Sequence, residues 1–314
     1  MIFKRKKAKN YTDVLYEWLN NKKNKTKEST YLKYLIIIDT YINELLGNVQ
    51  FKKINNNDIK IFFENEKISK LSDSFKNNLF VIINASINYG INKKYRKKFL
   101  IEKIQFKKSK NEITYFTKKE EEILVNYLTN NMNLRNLSIL LGLFSGIRIG
   151  EICALKWKDI DFINNTLNIN KTAQRIKNID KNETNKTKLV VDLPKTESSI
   201  RVIPLPDILI SILKQYRQDD DYFIFTNNGS IPKDPRALEK YFSSVLTRIG
   251  IKKLNFHSLR HTFATRLREQ KIDIKVISEL LGHSDWKITQ SFYIHASIDY
   301  KRNSIDTFNS YLPY

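Results

Sequence analysis

The chain has one cysteine, Cys153, and four histidines in 314 residues. A single thiol excludes an internal disulfide and any multi-cysteine metal site. The histidines stand without grouped carboxylates or thiols, so no metal site is expected. Long apolar runs are missing too: LSILLGLF at 137–144 is among the longest and falls well short of the roughly 20 residues a bilayer span requires. The first ten residues, MIFKRKKAKN, lack the apolar stretch and cleavage site of a secretory signal. A soluble cytoplasmic protein with no membrane association is expected. Acidic residues are comparatively scarce, 33 Asp and Glu against 55 Lys and Arg, which leaves a formal charge of +22. Such an excess implies a polyanionic partner, and nucleic acid is the usual one.

The charge is uneven. Residues 1–113 carry 25 basic and 11 acidic side chains, a surplus of 14, while residues 114–314 carry 30 and 22, a surplus of 8. An AT-rich genome raises lysine everywhere, but it does not account for the local clusters KRKKAK at 4–9 and KKYRKK at 93–98. Lys93, Lys94, Arg96, Lys97 and Lys98 in the second cluster are therefore candidate DNA-binding residues.

Hydrophobic periodicity divides the chain. Residues 12–91 read as four helices, DVLYEWL, YLKYLIIIDTYINELLG, DIKIFFENEKI and SFKNNLFVIINASINYG, the second and fourth ending in a glycine where a C-cap would sit. Residues 92–113 are basic and aperiodic, the pattern of a segment that follows DNA phosphates. These features suggest a helical domain over 1–105, a linker over 106–113 and a second domain over 114–314. Thr117 and Glu120 stand in capping-box spacing at the first helix of that second domain. Helical sequence at 133–155 is followed by β-like runs at 166–176, 188–194 and 199–205, with Pro204 and Pro206 closing the sheet, and helices resume from 206. The fold class is thus mainly α with a small antiparallel sheet (α+β).

One segment breaks its own pattern. LGLFSGIRIGEICAL at 141–155 is a core sequence with Arg148 in its middle, between Gly146 and Gly150. A buried guanidinium that lacks its counter-charge destabilises a protein by roughly 3–5 kcal/mol. Arg148 therefore needs an anion, and the two glycines suggest that backbone and anion come close together. Cys153, on the same segment, reads as a small core residue.

Further along, FHSLRHTFATRLREQ at 256–270 is helical, with Leu259, Phe263 and Leu267 as its core stripe. His257 and Arg260, three apart, project from a neighbouring face and could grip one anion. VISELLGHSDW at 276–286 is an apolar helix that stops at Gly282, leaving His283 in the turn, and KITQSFYIH at 287–295 is a short helix carrying Tyr293.

Taken in order, RIGE with Arg148, PKT with Lys195, HSLR with His257 and Arg260, LGH with His283, and Tyr293 ten residues later resemble the tyrosine recombinase, or phage integrase, family. The resemblance spans about 114–300, and the basic helical first third suits the family's core-binding domain. It implies an N-terminal core-binding domain and a mixed catalytic domain that close on DNA as a C-shaped clamp. The chemistry it implies begins with attack of the Tyr293 hydroxyl on a phosphodiester to give a phosphotyrosine ester, which keeps the bond energy and makes cutting reversible. Arg148 and Arg260 would stabilise the charge gathered on the phosphorane oxygens. Lys195 would protonate the departing 5′-oxygen, with Lys186 and Lys188 as rivals on the same hairpin. His257 would assist proton transfer or bind the phosphate, His283 would donate a further hydrogen bond, and Glu151 would orient Arg148. No cofactor is implied, since this chemistry needs no Mg²⁺. His261 and His295 read as structural, and Trp286 as core packing.

The function so implied is a site-specific recombinase acting at double-stranded DNA sites as a homotetramer, through a Holliday junction, with the tail at 296–314 exchanged between protomers. A mobile-element integrase assisted by an excisionase or other DNA-bending factor is favoured, in a nucleoid-associated cytoplasmic setting, although no arm-binding domain is evident. A Xer-like resolvase of chromosome or plasmid dimers is the alternative. A type IB topoisomerase and a non-catalytic DNA-binding regulator stand further off.

Overall fold

The structure is a computed structural model, and its described residues are 9–107, 114–180, 184–194, 196–226 and 228–291. The chain divides into two compact units, Met1–Asn111 and Glu112–Tyr314.

The first unit is helical: α1 (Tyr11–Lys23), α2 (Glu28–Ile37), a π-helical turn (Ile38–Ile42), α3 (Asn43–Leu46), α4 (Asn56–Glu64), α5 (Glu66–Ser69) and α6 (Asp73–Asn92). Its core gathers Leu15, Trp18, Phe51, Phe62 and Ile83, and the buried Tyr11 hydroxyl lies 2.7 Å from Ser86 Oγ, which joins α1 to α6. At the start of α4 the Asn55 side chain accepts from the Asp58 N–H while the Asp58 carboxylate accepts from the Asn55 N–H, a reciprocal cap. Gly90, expected as a C-cap, instead lies inside α6. A Cβ there would collide with the Phe51 ring, so the glycine is explained by close packing.

The basic segment after α6 is partly buried. Tyr95, Phe99, Ile101, Ile104 and Phe106 pack against the core of the first unit, so the described part of 92–113 is folded onto that unit. Arg96 is turned inward with them. Its Nη1 donates to the Phe51 carbonyl at 3.1 Å and the Ile54 carbonyl at 2.6 Å, and its guanidinium lies 3.9 Å over the Phe99 ring. Arg96 thus has a structural role that its place in the basic cluster did not suggest, whereas Lys93, Lys94, Lys97 and Lys98 are exposed.

In the second unit α7 (Lys118–Asn130) starts at the Thr117–Glu120 capping box, with the Thr117 N–H donating to the Glu120 carboxylate at 2.8 Å. The apolar stretch expected as one helix over 133–155 is two: α8 (Leu134–Ser145) ends at Gly146, whose φ of 63° breaks the helix, and α9 (Ile149–Ala154) restarts after Arg148. Next come β1 (Ile160–Asp161), β2 (Thr166–Ile169), β3 (Thr172–Lys177), β4 (Thr187–Asp192) and β5 (Arg201–Pro204). The run read as one strand at 166–176 belongs to two sheets. β2 lies between β1 and β5, with Leu167 opposite Ile203 and Ile169 opposite Arg201, whereas β3 pairs with β4.

Helices α10 (Asp207–Gln215), α11 (Pro235–Arg248), α12 (His257–Glu269), α13 (Ile274–Leu281) and α14 (Trp286–Ser291) complete the described chain. The core is built from Leu137, Leu140, Ile152, Trp157, Phe242 and Leu259, all buried. Each large apolar side chain so buried stabilises the unit by about 1.5–3 kcal/mol. Cys153 lies within the same core. No helix among the described residues is long and apolar enough to cross a membrane.

Candidate active site

Arg148 is the N-cap of α9, in extended conformation. Its backbone N–H donates to Glu151 Oε2 at 2.9 Å and its Nη1 donates to Oε1 at 2.8 Å. One carboxylate therefore caps the helix and holds the guanidinium. The Glu151 side chain is 4% exposed and that of Arg148 35%, so the carboxylate is sunk in the protein while the arginine reaches toward solvent. Neither glycine of this segment leaves room for an anion. A Cβ on Gly150 would come within 2.7 Å of the Ala173 carbonyl oxygen in β3, and Gly146 faces the Phe263 ring. The two glycines serve backbone geometry and packing, a different purpose from the one the sequence suggested.

A third arginine joins the pair. Arg201, at the start of β5, donates from Nη2 to Glu151 Oε2 at 3.0 Å and from Nη1 to Oε1 at 3.3 Å. Its remaining donors bind the Leu280 carbonyl at 2.6 Å and the Ser199 carbonyl at 3.0 Å. It therefore ties α9 to the end of α13 and to the turn preceding β5. The reading of the sequence passed over this residue, although a signal existed: Arg201 is in phase with Ile203 and Leu205, both buried, while Val202 is exposed. An arginine on the inward-facing phase of a strand calls for a buried anion. Burial pushes the Glu151 carboxyl upward, but the charge and hydrogen bonds of Arg201, and then of Arg148, outweigh it and hold it below the usual carboxylate range.

Arg260 lies one helical turn into α12 and is 2% exposed. Its Nη1 donates to the Gly146 carbonyl at 2.9 Å and its Nη2 to the Leu281 carbonyl at 2.6 Å. The core face of α12 is accordingly Ser258, Leu259, Arg260, Thr262 and Ala264, with Phe263 and Leu267 only half-buried. His257 is the first residue of the helix. Its ring meets that of His261 edge-on, with centroids 4.6 Å apart. Burial, and then the cations Arg260 and Arg148, lower the pKa of His257 despite the opposing charge of Glu151.

At the end of α13 Gly282 takes a left-handed turn with φ 65° and delivers His283 to the site. The distance from Arg260 Nη2 to His283 Nε2 is 2.8 Å. A guanidinium has hydrogens to donate and no lone pair to offer, so Nε2 is the acceptor and the ring proton lies on Nδ1. Nδ1 in turn lies 2.8 Å from Thr289 Oγ1. In this arrangement His283 accepts from Arg260, where the sequence suggested a donor to phosphate.

Arg148 and Arg201 thus pair with one carboxylate, that of Glu151, and Arg260 lies close enough to feel the charge of all three. Burial and the neighbouring Arg148 weaken the hold of Arg260 on its proton, yet a guanidinium remains a cation at ordinary pH. Positive charge in surplus inside a partly dry pocket is an arrangement an anion would complete. Lys195 and Tyr293, and with them His295, lie outside the described residues. Lys188 is on β4 opposite Ile176 and Lys186 is exposed in the turn before it. Trp286, expected in the core, is 40% exposed at the start of α14.

Residues 114–299 match the family model described as "Phage integrase family", and residues 10–74 match "Phage integrase, N-terminal SAM-like domain". The chain belongs to the phage integrase family of tyrosine recombinases. It is similar to a "Tyrosine recombinase XerC-like" protein of Caldanaerobacter subterraneus subsp. tengcongensis, 30% identical across 95% of this chain and 82% of that one. It is also similar to the "Integrase" of Staphylococcus phage L54a, 32% identical across 57% of this chain and 58% of that one. A solved structure of the Tn1549 transposon integrase in complex with a circular intermediate DNA shares the fold, with a TM-score of 0.77 at 20% identity over 96% of this chain and 99% of that one. The enzyme is a tyrosine-type site-specific recombinase, which cuts and rejoins DNA strands by transesterification. In this recombinase RIGE opens α9, HSLR opens α12 and LGH closes α13.

Proposed function

We propose that the protein is the integrase of a mobile genetic element and that Tyr293 is its nucleophile. The Tyr293 oxygen attacks the scissile phosphorus and loses its proton to a neighbouring base, with His257 the nearest candidate by motif. The phosphorus–5′-oxygen bond breaks, Lys195 protonates the departing oxygen, and the DNA 3′ end stays attached as a phosphotyrosine ester. Attack by a 5′-hydroxyl from a second duplex reverses each step and yields a Holliday junction. Arg148 and Arg260 hold the non-bridging oxygens, on which charge accumulates in the transition state.

The observation that carries this reading is the grouping of Arg148 and Arg201 on the single Glu151 carboxylate with the Arg260–His283 pair near them, three guanidiniums to one carboxylate. The exposed lysines Lys93, Lys94, Lys97 and Lys98 follow the phosphate backbone, with Arg96 as the anchor beneath them. Four protomers synapse two double-stranded DNA sites and exchange their C-terminal tails, an excisionase or DNA-bending factor sets direction, and the setting is the nucleoid in the cytoplasm.

The test is a nicked suicide duplex carrying the element's recombination site. A covalent protein–DNA adduct that disappears in Tyr293→Phe is expected, and no adduct on the correct site would defeat the proposal. The XerC-like relative favours a second reading, a resolvase of chromosome or plasmid dimers. Direct repeats and a transfer or excision gene flanking the coding sequence separate the two.

A further inference from the structure

His283 faces two incompatible demands. In the structure its Nε2 accepts a hydrogen bond from Arg260 Nη2 across 2.8 Å, so that nitrogen carries a lone pair. On the reading above, Nε2 must instead present a hydrogen to a phosphate oxygen, which has only lone pairs. Protonating the ring is disfavoured: burial, followed by Arg260, Arg148, His257 and Arg201, pushes its pKa down to about 3. From a neutral ring held between Arg260 and Thr289, a change of tautomer supplies that hydrogen. Water removes the Nδ1 proton and supplies another to Nε2, with no change in net charge.

That exchange reverses what Nδ1 asks of its own partner. Nδ1 lies 2.8 Å from Thr289 Oγ1, and the Thr289 side chain is fully buried on α14. In the first tautomer Nδ1–H donates and the hydroxyl accepts; in the second Nδ1 accepts and the hydroxyl donates. A carboxylate could only accept and an ammonium could only donate, whereas a hydroxyl does either by rotating about its C–O bond. We propose that Thr289 is a positioning residue whose hydroxyl holds the His283 ring in both tautomers, so that the ring passes from Arg260 to the scissile phosphate without turning.

The exchange also frees Arg260. Its bonds to the Gly146 and Leu281 carbonyls hold the guanidinium in place, while the Nη2 hydrogen given to His283 is the one that can be released. One internal hydrogen bond becomes two donors facing the phosphate. This inference rests on the recombinase reading only for the identity of the anion.

Two variants of the full chain test it. Thr289→Val keeps the shape and removes the hydroxyl, and Thr289→Ser keeps the hydroxyl. In single-turnover cleavage of the suicide duplex at saturating DNA, Thr289→Val is expected to slow adduct formation by about tenfold, the effect of one hydrogen bond. Its DNA affinity should be unchanged, and Thr289→Ser should stay close to the parent rate. Nitrogen NMR of the His283 ring should show Nδ1–H in the free protein and Nε2–H in Tyr293→Phe bound to its site. Parental cleavage by Thr289→Val, or equal losses in both variants, would overturn the inference, as would an Nε2–H ring in the free protein. An inactive parent would instead count against the recombinase reading, while the ring proton of the free protein still decides the role of Thr289.

Discussion

Arg148 and Arg201 share the Glu151 carboxylate, Arg148 binding Oε1 at 2.8 Å and Arg201 reaching Oε2 at 3.0 Å. Sequence separates them by more than 50 positions, yet they form one electrostatic unit. Removing the anion should be felt by both. Glu151→Ala is expected to destabilise the second unit by about 3–5 kcal/mol, because it strands the buried Arg201 without a counter-charge. Urea denaturation measures this directly, and a loss below about 1 kcal/mol would mean that backbone carbonyls alone satisfy Arg201.

The exposed side of Arg148 leads to a second expectation. Arg148→Lys retains the charge and the backbone cap and should bind DNA with near-parental affinity, yet a single ammonium cannot pair with Glu151 and also offer a planar fork to a phosphate. Cleavage of the suicide duplex should fall by about 100-fold or more, the range for losing one transition-state donor. Near-normal cleavage would remove Arg148 from the phosphate.

Acid should weaken the fold before it protonates ordinary carboxylates. Burial, with help from His257 and Arg260, pushes His261 from 6.5 to about 4, and burial and the surrounding cations push His283 to about 3. The unfolded chain binds these protons more readily than the folded one, so stability is full above pH 6.5 and falls as the pH drops toward 4. The depressed Glu151 carboxyl acts in the same direction at lower pH, its contribution vanishing as pH falls through its folded value. Calorimetry should therefore show Tm declining from pH 6.5 to 4, with a shallower slope in His261→Asn. A flat Tm over that window would contradict the assignment.

The basic segment of the first unit should separate by function. Lys97→Gln and Lys98→Gln together should leave Tm unchanged, weaken DNA binding and flatten its dependence on salt, as expected when phosphate contacts are removed. Arg96→Gln should do the reverse, lowering Tm through loss of the Phe51 and Ile54 carbonyl contacts. Equal effects of the two changes on affinity would show that Arg96 also meets DNA.

How much of this was legible depends on the distance over which each signal acts. Thr117 with Glu120, Arg148 with Glu151, and Gly282 before His283 are neighbours in sequence, and their spacing already contained the geometry. In the sequence Arg96 reads as a DNA-binding charge and Arg201 is passed over, because their acceptors come from distant segments. The run at 166–176 has continuous β character, but its division between two sheets is set by partners at 187–192 and 201–204. Thr289 gave no signal at all, since one hydroxyl in a polar stretch resembles any other until the ring beside it is placed.

The surplus of guanidiniums over carboxylate in the catalytic unit has an evolutionary corollary. Burial and the neighbouring Arg148 disfavour the charge of Arg260, so selection for thermal stability alone would not hold that arginine in place. Only repeated demand for strand exchange keeps it there. A lineage whose element has stopped moving should lose that arginine before its core.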